Sequence, residues 1–119
     1  MIKVDFGFYR CPNAQRRFRN VMAKFMADTA KSMLVSTIEP AALREFPAYV
    51  RHHTAGACVS DIQKQRLTDA EKAEALDFDD DALMGDVQER LIFTVIKTEM
   101  FMVSFFVKCH YQHVLLHYH

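Results

Sequence analysis

Residues 91–107, LIFTVIKTEMFMVSFFV, decide the fold, because they satisfy two secondary-structure periods at once. Read as a helix, Asp86, Arg90, Thr94, Lys97, Ser104, Lys108 and Gln112 recur at three, four or seven and line one polar stripe. Read as strands, residues 91–119 give three alternating apolar faces. These are Leu91, Phe93 and Val95; then Phe101, Val103, Phe105, Val107 and Cys109; then Val114, Leu116 and Tyr118. Most residues between 91 and 107 are β-branched or aromatic, types that lose rotamer freedom on a helix and fit a pleated surface. The strand reading is therefore preferred. Residues 86–119 contain no glycine or proline, which tight hairpins favour, so a mostly α chain with a long C-terminal helix is the alternative.

The N-terminus supplies the second argument. In IKVDFGFY, Ile2, Val4, Phe6 and Phe8 alternate with Lys3, Asp5, Gly7 and Tyr9, the period of a half-buried strand. A lone strand leaves its backbone groups unpaired and needs partners. After Pro12, the apolar set Phe18, Val21, Met22, Phe25, Met26 and Met33 predicts an amphipathic helix over 13–34. Leu34 and Val35 fall on its polar arc, so the helix should end or be covered there. Glu39-Pro40 opens a second helix to about His53, which Pro47 should kink or divide. Two capping-box patterns, Ser60-x-x-Gln63 and Thr68-x-x-Glu71, predict short helices over 60–66 and 68–76. The expected fold is α+β in one domain spanning 1–119. It has an N-terminal strand, a helical middle of three to four helices, and a C-terminal antiparallel meander packed on the helices.

Composition bounds the function classes. Half of the 119 residues are apolar, enough to bury a core without staples. Three cysteines, Cys11, Cys58 and Cys109, show no CxxC spacing, and Asp5 interrupts the first apolar stretch, so a reducing, cytoplasmic setting is expected. Lys97 and Glu99 interrupt the most apolar stretch, which argues against a membrane span. Net charge is zero but unevenly placed. Residues 1–66 hold eleven Lys/Arg against five Asp/Glu, and residues 68–90 hold two against nine. The acidic segment either lies against the basic helix within one fold or masks a basic surface.

The same residues suggest several candidate sites. On the sheet reading, the face opposite Leu91 and Phe93 carries Ile92, Ile96, Met100, Met102 and Phe106, too apolar for a solvated surface. It suggests a homodimer or a protein partner, or a part of the helical middle folded over it within the monomer. The tail CHYQHVLLHYH, 109–119, holds four of the six histidines, and His113, His117 and His119 share one strand face. Three imidazoles suit zinc or another transition metal. Chain ends fray and no HExxH is present, so edge or interface packing explains the same residues. The helix start RCPNAQRRFRN presents Arg10, Arg16, Arg17 and Arg19, with Lys24 beyond and Tyr9 nearby for stacking, a pattern that suits nucleic acid. A thiol at Cys58 with His52 or His53 as base is the one nucleophile arrangement, and it lacks an orienting third residue, so no catalytic set is assigned. The acidic run at 77–81 fails as a calcium loop, because Ala82 stands where glycine is needed and Gln88 where a bidentate glutamate closes the site. The leading expectation is an interaction protein working through the apolar sheet face, with metal binding and nucleic-acid binding as alternatives.

Overall fold

The computed structural model describes residues 1–79 and 85–98. Seven elements succeed one another: β1 (Ile2–Asp5), α1 (Asn13–Ala27), β2 (Ser32–Thr37), α2 (Ala42–His53), β3 (Ala57–Arg66), α3 (Asp69–Phe78) and β4 (Glu89–Lys97). The fold is α+β. The four strands form one mixed sheet in the order β1-β2-β4-β3, with β1 parallel to β2 and the other pairs antiparallel.

Two predicted helical segments are strands. The helix predicted over 13–34 stops at Ala27, where Asp28 turns extended and its carboxylate accepts from the Ala30 amide at 2.7 Å. The chain then enters β2, where Met33, Val35 and Thr37 are fully buried and Leu34 and Ser36 face the other way. Leu34 and Val35 misfit the helix arc because they belong to a period of two. The predicted helix over 60–66 is the second half of β3, paired with β4 from Ala57↔Lys97 to Arg66↔Glu89. Cross-strand pairing along the strand outweighs one local cap. The register shifts between Val59 and Asp61, so Ser60 is an extra residue and its hydroxyl donates to the Thr94 carbonyl. That bulge changes the strand's parity, which lets both Val59 and Ile62 meet the core.

The second helix differs in one detail: α2 runs through Pro47 undivided, with Pro47 on its buried side. The cap of α3 and the alternation of β4 match the sequence expectations. Thr68 caps α3 with both halves of the capping box formed. On β4, Leu91, Phe93 and Val95 are buried while Ile92, Thr94 and Ile96 face the opposite side and are half-buried. The two further strands expected after β4 lie outside the described residues.

α1 and α2 pack side by side on one sheet face. Their Ala14, Phe18, Met22, Phe25, Phe46 and Val50 meet Met33, Val35, Phe93 and Val95 of the sheet in the main core. An aromatic series crosses it from sheet to surface. Phe93 lies 5.2 Å from Phe46, Phe46 stacks on Phe18 at 4.0 Å, and Phe18 meets Tyr49 edge-on at 6.0 Å. A smaller cluster of Ile38, Leu67 and Val87, with Phe8 against it, joins the ends of β2, β3 and β4.

Candidate functional site

The sheet buries one side of α1 and α2, so their polar residues form an outer layer of one sign. The two helices carry six Lys/Arg and one acidic residue, Glu45. Arg16, Arg17, Arg19 and Lys24 are exposed, and among the described residues none of them pairs with a carboxylate. Arg17 lies over the Tyr9 ring at 3.8 Å, and Arg19 lies over Tyr49 at 5.6 Å.

Arg10, predicted to join these cations, does other work. Its Nε donates to Glu39 Oε1 at 3.0 Å, and its Nη2 reaches Asp86 at 3.4 Å. Glu39 is buried, and it also accepts from the amides of Cys11 and Ala41. Burial alone would raise the Glu39 carboxyl; these amide bonds, together with Arg10, outweigh it and hold the group below the ordinary carboxylate range. The adjacent Cys11 thiol donates to Glu45. Burial, reinforced by the charges of Glu39 and Glu45, pushes that thiol up to about 12. It is therefore a poor nucleophile at neutral pH. Asp86 also joins the acidic segment to this loop, whereas Glu71 of α3 pairs with Arg90 of β4. Among the described residues no ion pair joins α3 to the cations of α1.

Between α1 and α2 lies an open groove of about 310 Å³, lined by Gln15, Arg19, Glu45, Ala48, Tyr49, His52 and His53. Tyr49 and His53, one helical turn apart, hold their rings 5.1 Å apart and 31° from parallel. Arg51 Nη2 lies 3.1 Å from His52 Nε2. Both histidines sit in the last turn of α2. Gln15 Oε1 is buried without a donor among the described residues.

The opposite sheet face carries Leu34, Ile92 and Ile96. A second groove of about 420 Å³ lies there, lined by Lys3, Val4, Asp5, Leu34, Ser36, Arg90 and Ile92. Of the interface set, Ile92 and Ile96 share this face, and Met100, Met102 and Phe106 lie outside the described residues. His113, His117 and His119 also lie outside them. Among the described residues no three His, Cys, Asp or Glu side chains are grouped to hold a metal ion. Cys58 is buried and disulfide-bonded, while His52 and His53 are on the surface, so the thiol–imidazole arrangement has no free thiol to act as nucleophile. Among the described residues no helix is long and apolar enough to cross a membrane.

Sequence reasoning missed Gln15, Tyr49 and Glu39. Tyr49 and His53 at a spacing of four were a usable signal for a surface ring pair. Gln15 and Glu39 carried none. No family model matches the chain, and no curated protein or solved structure matches it.

Proposed function

We propose that this chain is a nucleic-acid-binding module that meets phosphates with the outer layer of α1 and α2. The observation that carries the reading is the exposed cation set Arg16, Arg17, Arg19 and Lys24, unpaired with carboxylates among the described residues. Neutralising phosphates releases condensed counterions, and aromatic rings beside guanidinium groups suit single strands, whose bases are open to stacking. Tyr9 and Tyr49 stand beside Arg17 and Arg19. A cytoplasmic setting belongs to the same proposal, with the disulfide at Cys58 as the observation that stands against the reducing environment expected from the cysteine spacing. The test is fluorescence anisotropy of a labelled single-stranded 12-mer at several salt concentrations. The triple variant Arg16→Ala/Arg17→Ala/Arg19→Ala should lower the salt slope by about 2, from roughly 0.7 per phosphate contact on single strands. An unchanged slope and affinity in that variant would eliminate the helical layer as the binding surface.

A second reading rests on a different observation, the apolar residues Leu34, Ile92 and Ile96 on the sheet face away from α1 and α2. Here the proposed partner is a second copy of the chain. Ile92→Lys should convert a dimer to a monomer in sedimentation velocity. A wild-type chain that stays monomeric at high concentration removes this reading.

A further inference from the structure

We propose that the groove between α1 and α2 is a subsite for one nucleotide, with the base against the Tyr49–His53 rings and the phosphate at Arg19. This rests on the nucleic-acid reading and assigns its recognition of a single unit. The groove's volume falls within the roughly 300–1,000 Å³ of small-ligand sites.

Its polar groups are sorted along its length. Cys11, two residues before α1, donates to Glu45, which places Glu45 beside the start of α1 and near Gln15; Arg19 lies over Tyr49, and His52 and His53 stand one turn further along α2. Gln15 and Glu45 therefore offer hydrogen-bond acceptors, and Arg19 supplies the groove's positive charge. A nucleotide has the matching polarity, with N–H groups on the base edge and negative charge on the phosphate. Gln15 Oε1 adds a specific need, since it is buried without a donor among the described residues, and a turn of its side chain into the groove lets a base N–H supply one. The ring pair is preorganised: Phe18, itself stacked on Phe46, backs Tyr49 from the core, so little freedom is lost when a base stacks on the exposed side. Glu45 at the acceptor end repels a phosphate placed there, which fixes the orientation.

The experiment is an NMR titration of the full chain with adenosine 5′-monophosphate, adenosine and inorganic phosphate, beside a single-stranded (dA)12 titration. The mononucleotide should bind at least about tenfold more tightly than adenosine or phosphate, and shift the ring resonances of Tyr49 and His53. His53→Ala removes an exposed ring and Arg19→Gln an exposed charge, so both variants should keep the wild-type fold, checked by their amide spectra. Each should weaken mononucleotide binding at least about fivefold. The subsite is overturned if inorganic phosphate binds as tightly as the mononucleotide, or if neither variant changes mononucleotide affinity. In either case, salt-dependent (dA)12 binding leaves the helical-layer reading standing. Mononucleotide binding in the groove without salt-dependent (dA)12 binding would support the subsite and remove that reading instead.

Discussion

At the scale of single residues, the loop before α1 is held by one buried carboxylate. Glu39 accepts from Arg10, Cys11 and Ala41, and its own amide donates to the buried hydroxyl of Thr37. Removing one partner of such a cluster strands the others, which costs about 3 kcal/mol. Glu39→Gln should cost stability of that order in urea denaturation, since its amide group would face the Ala41 N–H. The folded carboxyl lies below its unfolded value of about 4.3, so its contribution is full above that pH and declines as pH falls through the folded value. The variant should therefore lose less stability than wild type between pH 6 and pH 3. Cys11 has the opposite sign. With its thiol raised to about 12, iodoacetamide at pH 8.5 should label it about a thousandfold more slowly in the native than in the unfolded chain, read by peptide mapping. Equal rates would show that the thiol is not held by Glu39 and Glu45. Nothing in the sequence marks Glu39 for this role, because its partners stand 28 and 29 positions upstream and two downstream.

At the scale of elements, α1 and α3 are held differently. α1 buries Ala14, Phe18, Met22 and Phe25 along one stripe, whereas α3 buries Ala75 alone and leaves Leu76 and Phe78 about half exposed. Packing stabilises most protein helices, so α3 depends more on its ends. Its Thr68–Glu71 box satisfies amides that would otherwise lack partners. Thr68→Ala should cost about 1 kcal/mol, and native-state hydrogen exchange should show α3 amides opening faster than those of α1. Exchange at equal rates in the two helices would contradict this. The same capping grammar misled at Ser60. There the local pattern competes with a partner strand some thirty residues away in sequence, and pairing over most of β3 prevails.

At the scale of the whole molecule, the aromatic series Phe93–Phe46–Phe18–Tyr49 ties the sheet to both helices and to the groove. Phe46 is fully buried and meets the rings of Phe93, Phe18 and, edge-on at 6.1 Å, Phe6. Phe46→Ala should destabilise the fold by about 3–5 kcal/mol, measured by chemical denaturation. A loss below about 1 kcal/mol would mean that the core repacks around the cavity. By itself the sequence determined the α+β class, the N-terminal strand, the start and buried stripe of α1, the extent of α2, the cap of α3 and the alternation of β4. Each is set by neighbours within a few positions, through periodicity, caps and proline. Only the tertiary structure decided that 32–37 and 57–66 are strands, that Arg10 serves Glu39, that Arg19 lies over Tyr49, and that Gln15 and His53 line one groove. Those outcomes depend on partners tens of residues apart. A chain segment whose local preference is weak takes the conformation that pairs its backbone and buries its apolar face.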